Sequence, residues 1–149
     1  MQRSPSVMKV LDVMSTDLVT SQLNEPLNEA VNRMLERDVG CIIVMNDSNV
    51  EGVITKGDVL KKAFLLGLDA REVSSKKVMS RPVVAIDPDS TLEQASRMMT
   101  GNNVSKLAVV KDKKLVGVVT SSDIIRAEPM QVGYLQELVK ARFVPHDIA

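Results

Sequence analysis

Residues 52–58 read Gly52-Val53-Ile54-Thr55-Lys56-Gly57-Asp58, and residues 117–123 read Gly117-Val118-Val119-Thr120-Ser121-Ser122-Asp123. An ungapped shift of 65 residues superimposes the two stretches, and the same shift matches residues 13–58 with residues 78–123. Fourteen residues recur unchanged over that span, and apolar residues face apolar residues between them. A fixed internal period of this kind is typical of one supersecondary unit that occurs twice in the chain.

Each copy predicts the same order of elements, a βαββα unit. A short extended stretch, at 18–20 in the first copy and 83–86 in the second, precedes a helix. Two apolar runs follow in each copy and are joined by a polar turn. Near-continuous apolar runs favour strands that are covered on both faces. These strands are predicted at Cys41–Met45, Val50–Ile54, Leu107–Val110 and Leu115–Val119.

The helices are predicted from apolar spacing and from capping patterns. Pro26 suits the first position of the first helix, where its missing N–H does no harm. The inward face of that helix is predicted to carry Leu27, Ala30, Val31, Met34 and Leu35. In the second copy, Ser90 and Glu93 form a capping-box pattern. A second helix of the first copy starts near Asp58, and its predicted inner face carries Val59, Leu60, Ala63 and Phe64.

The predicted fold class is α+β, with two βαββα repeats that pack sheet to sheet with pseudo-two-fold symmetry. A three-stranded sheet with two helices buries little apolar surface by itself, so the copies need each other. The predicted division is repeat 1 at 7–66, a polar linker at 67–77, repeat 2 at 78–127, and a C-terminal helix and tail at 128–149. In the tail, residues 133–143 carry apolar residues at helical spacing.

Composition excludes several classes of protein. Basic and acidic residues balance at 19 each, so nothing indicates a nucleic-acid partner. No stretch approaches the roughly 20 apolar residues that span a bilayer, and no signal-peptide core begins the chain, so membrane insertion is not expected. Cys41 is the only cysteine, which predicts a small buried strand residue and a reducing, cytoplasmic setting.

Catalysis is not expected either. The repeat supplies no nucleophile with a general base, and no spacing of cysteine and histidine indicates a metal centre. His146 is the only histidine. Gly52 and Gly117 lack the pattern of a phosphate-binding loop around them, so close packing of backbone in the sheet is the preferred interpretation.

The repeated chemistry lies where a strand meets a helix. Thr55 and Thr120 end strands, and Asp58 and Asp123 follow three residues later in the first helical turn. The N–H groups at a helix start attract anions, and a carboxylate there accepts two hydrogen bonds from a ribose diol. The same residue types are also ordinary helix caps. The residues alone leave both interpretations open.

Residues 7–126 resemble a tandem pair of CBS domains, the cystathionine-β-synthase type repeat that is also called a Bateman module. Besides the two opening stretches, the resemblance is carried by 13–15, 78–83 and 87–95. It implies a stand-alone, non-catalytic regulatory module that binds adenosine ligands such as AMP, ADP, ATP or S-adenosylmethionine in the clefts between repeats. It implies no cofactor, and an unidentified effector protein as partner.

The resemblance also implies which residues bind the ligand. Asp58 and Asp123 become acceptors for the ribose diol, and Thr55 and Thr120 become hydroxyls near sugar and phosphate. The residues implied to line the adenine pockets are Ser15, Val19, Thr20, Ser80, Val84 and Ala85.

Lys106 occupies the place where phosphate-binding relatives often carry a basic residue that reaches the neighbouring repeat's site, and its repeat mate is the neutral Cys41. The resemblance therefore implies unequal sites, with phosphorylated ligands favoured beside Asp58. The alternative is that Lys106 points to solvent, or that the charge for a phosphate comes from Arg81, Lys56 or Arg126.

Two expectations concern assembly and role. Apolar helix faces without an internal partner predict a homodimer. The resemblance to CBS pairs implies the same, because such pairs tend to associate as flat two-fold discs. The competing function is a structural or interaction module whose ligand sites are vestigial. This alternative does not explain why Thr-x-x-Asp occurs in both repeats, nor why a lysine stands at position 106.

Overall fold

The computed structural model describes residues 7–127. The elements of the first half of the chain are α1 (Val10–Val13), β1 (Thr20–Gln22), α2 (Leu27–Glu36), β2 (Cys41–Asn46), β3 (Asn49–Thr55) and α3 (Lys56–Asp58), which continues into a π-helical stretch, Val59–Phe64. The second half carries α4 (Ser75–Val78), β4 (Ala85–Ile86), α5 (Leu92–Asn102), β5 (Lys106–Lys111), β6 (Lys114–Thr120) and α6 (Ser121–Ala127). The expected C-terminal helix and tail lie outside the described residues.

The chain divides into two compact units, and their boundaries differ from those of the sequence repeat. The first unit is Asp17–Val83. The second unit, within the described residues, combines 7–16 with 84–127. Residues 78–83, assigned to repeat 2 by the sequence, thus belong to the first unit. Residues 7–16, assigned to repeat 1, belong to the second unit.

Each unit contains one three-stranded sheet, in the order β1-β2-β3 in the first unit and β4-β5-β6 in the second. The first strand pairs parallel to the second, and the last two strands form an antiparallel hairpin. The predicted α+β class and the four predicted hairpin strands are confirmed. The hairpin turn of the second unit has positive φ at Asp112 and Lys113, which suits the two-residue turns that match strand twist.

Helix α2 covers its sheet with Leu27, Ala30 and Met34, all of which are buried in the core of the first unit. The prediction for Leu35 is wrong, because its side chain is 62% exposed. Successive residues of an α-helix are rotated by about 100°, so Leu35 turns away from the sheet when Met34 faces it.

Helix α5 is capped one residue later than the sequence pattern predicts. Thr91 is the cap: its side chain accepts from Gln94 N–H, and the Gln94 side chain accepts from Thr91 N–H. The predicted box of Ser90 and Glu93 is therefore wrong. Since the helix begins at Leu92, Gln94 and not Glu93 occupies the third helical position.

The helix after β3 buries less than predicted. Ala63 is buried, but Leu60 is 58% exposed and Phe64 is 75% exposed, so the prediction of an inner face there is wrong for these two residues. The stretch is π-helical, with Leu65 N–H donating to Leu60 O over 3.0 Å. Hydrogen bonds that span five residues widen each turn, and apolar residues placed at α-helical spacing no longer share one face.

A short segment closes each sheet by backbone pairing. Ser80 N–H donates to Val53 O over 2.8 Å, and Val53 N–H donates back to Ser80 O over 3.1 Å. In the second unit, Ser15 and Val118 exchange the same two bonds over 2.9 and 3.0 Å. The serine of each Val-Met-Ser motif therefore pairs with the last strand of a sheet at equivalent positions, Ser80 with β3 and Ser15 with β6.

The two repeated glycines make this approach possible. A Cβ at Gly52 would lie 2.5 Å from Met79 Sδ, and a Cβ at Gly117 would lie 2.7 Å from Met14 Sδ and 2.9 Å from Ser15 O. The interpretation of both glycines as sites of close packing is confirmed.

Residues 67–77, predicted as a linker, form part of the first unit. Val73 joins its hydrophobic core, and Ser75 is fully buried. The Ser75 hydroxyl is 2.6 Å from the Ser21 hydroxyl and donates to Glu25 O over 3.2 Å. These bonds satisfy the buried hydroxyls and fix the start of α4 beside strand β1.

Gly117→Ala tests the close approach in the second unit. Because the new methyl group would meet backbone at Ser15 O as well as the Met14 side chain, we expect a loss of about 1–3 kcal/mol in the free energy of unfolding. Urea denaturation measures the change. Gly101→Ala is the matched control, since it lies in helix α5 with open space around it and should stabilise by about 0.4–1 kcal/mol. Equal effects of the two substitutions would contradict the packing argument.

Candidate functional site

The first hydroxyl–carboxylate pair lies where β3 enters α3. Thr55 N–H donates to Asp58 Oδ2 over 2.9 Å, and Asp58 N–H donates to Thr55 Oγ1 over 3.2 Å. The Thr55 hydroxyl is also 3.1 Å from Asp58 Oδ2 and donates to it. The pair is thus a reciprocal helix cap, and it holds a carboxylate at the start of a helix.

Two further side chains complete this group, which we call the first cluster: Thr55, Asp58, Lys62 and Ser80. Ser80 Oγ donates to Asp58 Oδ1 over 2.8 Å. Lys62 Nζ lies 3.3 Å from Asp58 Oδ1, donates to Ser80 Oγ over 2.9 Å, and donates to Met79 O over 3.4 Å. Sequence reasoning missed Lys62, although its spacing of four residues from Asp58 on a helix is a recognisable signal for an ion pair.

The electrostatics of the first cluster favour an ionised Asp58. Partial burial alone would raise the pKa of this carboxyl group. The hydrogen bonds from Thr55 N–H and Ser80, together with the Lys62 ammonium, outweigh burial and hold the pKa of Asp58 below its ordinary value. The carboxylate is therefore charged at neutral pH and is 13% exposed.

The second pair repeats the cap where β6 enters α6. Thr120 N–H donates to Asp123 Oδ2 over 2.9 Å, and Asp123 N–H donates to Thr120 Oγ1 over 3.2 Å. Arg126 donates to Asp123 Oδ1 over 2.7 Å from a side chain that is 73% exposed. We call Thr120, Asp123 and Arg126, together with Ser15, whose backbone pairs with Val118 of the same strand as Thr120, the second cluster.

The remaining predicted residues fall into both units. Ser15 is exposed and belongs to the unit of Asp123, whereas Val19 and Thr20 belong to the unit of Asp58. Ser80, by contrast, contacts Asp58 directly, and its predicted pocket neighbours Val84 and Ala85 lie in the other unit. Val19 is buried and packs in the core of the first unit. Thr20 and Ala85 are exposed, and Val84 is half-buried.

Lys106 begins β5, directly opposite Thr120 in the antiparallel ladder. Cys41 takes the same place opposite Thr55 and is buried, which confirms the prediction of a small buried strand residue. Paired residues of an antiparallel ladder project to the same face of the sheet, so Lys106 and Thr120 share one face.

A shallow cleft of about 700 Å³ lies elsewhere in the first unit, lined by Leu68, Asp69, Glu72, Val73, Ser74, Lys76 and Lys77. None of the predicted ligand-binding residues lines it. Between residues 7 and 127, no three histidine, cysteine or acidic side chains meet as a metal site would require. No helix in this part of the chain is long and apolar enough to cross a membrane.

Comparison with known sequences matches the CBS domain twice, at residues 10–64 and 73–129. The chain belongs to the CBS domain family, and its tandem pair of repeats is confirmed. YhcV, a CBS domain-containing protein of Bacillus subtilis, is 31% identical over 115 residues, which cover 77% of this chain and 81% of YhcV. An uncharacterised protein of Methanopyrus kandleri is 30% identical over 131 residues, covering 87% of this chain and 67% of that protein.

Solved structures give the same result. The CBS domain pair of protein MJ0100, in complex with 5′-methylthioadenosine and S-adenosyl-L-methionine, matches this chain with a TM-score of 0.70 at 25% identity. The match covers 80% of this chain and 98% of that one. The fold of the two repeats is therefore that of CBS domain pairs.

The lowered pKa of Asp58 predicts a pH dependence of stability. A carboxyl group whose pKa is depressed by folding stabilises the protein above its unfolded pKa, about 3.9, and this contribution is lost as the pH falls through the folded pKa. We therefore expect Asp58→Asn to lower the free energy of unfolding at neutral pH and to differ less from wild type in acid. Urea unfolding of both proteins from about pH 6 to about pH 2.5 measures this difference. A difference that does not change with pH would refute the linkage.

Proposed function

We propose that this chain is a regulatory module that binds adenosine-containing ligands, among them AMP, ADP and ATP, through the Thr55–Asp58 and Thr120–Asp123 pairs. The observation that carries the proposal is a carboxylate held at a helix start in both repeats. Membership of the CBS domain family supports it, as does the adenosine chemistry of the two ligands crystallised with the domain pair of MJ0100.

The chemistry of the pairs suits a nucleoside. A carboxylate accepts hydrogen bonds and donates none, so it matches the two hydroxyl groups of a ribose. The Thr120 hydroxyl, which accepts from Asp123 N–H, would donate to a sugar or phosphate oxygen, whereas the Thr55 hydroxyl would first have to leave Asp58 Oδ2. The exposed Ser15 hydroxyl is a further donor in the unit of Asp123.

The role we propose is sensing and not catalysis. Ligand binding is expected to change how the module engages an effector protein, with the adenine nucleotide acting as a regulatory ligand and no cofactor. The setting we propose is the cytoplasm, where a lone buried cysteine such as Cys41 stays reduced.

A panel of AMP, ADP, ATP, S-adenosylmethionine and 5′-methylthioadenosine tests the binding proposal. A ligand present at 100 times its dissociation constant should add about 2.7 kcal/mol to the free energy of unfolding, visible as a rise in melting temperature. No shift with any of these ligands at millimolar concentration would favour the competing function, an interaction module with vestigial sites.

Asp123→Ala separates a ligand-binding carboxylate from a simple cap. We expect its affinity for the best ligand to fall by about 1.5–3 kcal/mol in isothermal titration, because a bond to a charged acceptor is lost. Thr91→Ala is the matched control, since it removes the side-chain cap of α5 in the same unit. Both variants should lose about 1 kcal/mol of stability, and only Asp123→Ala should lose affinity. Unchanged affinity in Asp123→Ala would make this residue only a cap.

Lys106 is the cation that we propose attracts a phosphorylated ligand. Lys106→Met should weaken AMP binding by about 1.4 kcal/mol or more, a tenfold change, because the ammonium–phosphate attraction is lost. Adenosine, which carries no phosphate, is the internal control and should bind both proteins equally. Equal AMP affinity in both proteins would place Lys106 outside the site.

We also propose that the module forms a homodimer. A run of large apolar side chains is exposed after β3, and this apolar patch consists of Leu60, Phe64, Leu65, Leu66 and Leu68. Contiguous apolar surface of this kind is typical of a protein–protein contact.

Replacing Phe64 and Leu65 by serine tests the homodimer. Light scattering at micromolar concentration should give a dimer mass for wild type and a monomer mass for the double variant, since the apolar area is lost from the contact. Leu35→Ser is the control, because Leu35 is also largely exposed but lies on helix α2 outside the patch. A wild-type monomer, with or without nucleotide, would disprove the dimer.

A further inference from the structure

The two clusters differ in how much of the carboxylate is already occupied. Asp58 Oδ2 accepts from both Thr55 N–H and the Thr55 hydroxyl, and Asp58 Oδ1 accepts from Ser80 and faces Lys62 Nζ. A carboxylate offers about four acceptor positions. Hydrogen bonds from Thr55 and Ser80 take three of them and the Lys62 ammonium faces the fourth, so a ribose diol has to displace at least one of these groups before it binds.

In the second cluster, the described residues supply fewer donors to the carboxylate. Among the described residues, Asp123 accepts from Thr120 N–H at Oδ2 and from Arg126 at Oδ1. The Arg126 side chain is 73% exposed, against 40% for Lys62, so water already competes for its contact. Counting only donors between residues 7 and 127, Asp123 keeps about two acceptor positions, the number that a ribose diol needs.

The difference traces to one residue of the repeat. Lys62 corresponds to Ala127, which carries neither charge nor donor on its side chain. Lys62 Nζ contacts three groups: it donates to Ser80 Oγ and Met79 O and forms an ion pair with Asp58. Lys62 thereby holds Ser80 against Asp58. In the second unit, Ala127 stands at the position of Lys62, and its side chain has no donor that could hold Ser15, the repeat mate of Ser80.

We propose that Lys62 is a built-in competitor for the ribose at Asp58, so that the Asp123 cluster binds an adenosine ligand first. This inference rests on the proposed function and reverses the order of filling that the charge of Lys106 alone implies. Ligand binds at the Asp58 cluster only after Lys62 releases the carboxylate. The two sites of the module thus respond to different concentrations of the same ligand.

Isothermal titration of adenosine and of AMP into wild type, Lys62→Met and Lys61→Met tests the inference. Lys62→Met should raise the affinity of the weaker site by about tenfold or more, because one charge-assisted contact no longer has to be broken. Lys61→Met is the matched control: Lys61 is the adjacent, exposed lysine of the same helix, and its substitution should leave both affinities unchanged. An unchanged or lowered affinity of the weaker site in Lys62→Met would overturn the proposal, the second result making Lys62 a ligand contact.

Two asparagine variants assign the sites. Asp123→Asn should weaken the tight site by about tenfold or more, and Asp58→Asn should leave that site unchanged, whereas the opposite result would overturn the order of filling. Circular dichroism melting checks that each variant is folded. Binding that is present but insensitive to Lys62→Met disproves this inference alone, while absence of binding in wild type and in every variant disproves the proposed function as well.

Discussion

The glycine contact of each sheet, and the candidate site of the first unit, depend on one pair of backbone hydrogen bonds, between Ser80 and Val53 in the first unit and between Ser15 and Val118 in the second. These bonds fix a short chain segment against the last strand of each sheet. That segment brings a methionine onto a glycine, where no side chain larger than hydrogen fits without displacing it. Met79 is then buried in the core of the first unit, and the Ser80 hydroxyl reaches the carboxylate of Asp58.

This arrangement explains why the sequence repeat and the compact units differ. Residues 78–80 precede the second repeat's helix in the chain, yet they close the sheet of the first repeat. The motif at 13–15 does the same for the sheet of the second repeat. Neither repeat, as its bounds are read from the sequence, therefore contains all the residues of its own core. Val73, Val78 and Met79 belong to the core of the first unit, and Val10 belongs to the core of the second.

Capping and ligand binding are not exclusive roles for the Thr-x-x-Asp pairs. Both carboxylates cap a helix through the same two backbone bonds. They differ in what else they contact, since Lys62 and Ser80 contact Asp58 and Arg126 contacts Asp123. A carboxylate whose acceptor positions are all occupied adds more to the stability of the fold and less to the affinity for a ligand. The ligand then replaces existing hydrogen bonds and adds none. A duplicated motif can therefore give one site that mainly stabilises and one that mainly binds.

The sequence by itself determined the duplication, the α+β class, the hairpin strands and the position of the Thr-x-x-Asp pairs, because periodicity, turns and caps are set by neighbouring residues. It also indicated that Gly52 and Gly117 are sites of close approach. Tertiary structure alone decided which segment approaches them, which of the apolar residues after β3 stay exposed, and that Ser80 joins the Lys62–Asp58 pair. These features depend on contacts between residues far apart in the chain and on a π-helical turn, and neither leaves a periodic pattern in the amino-acid sequence.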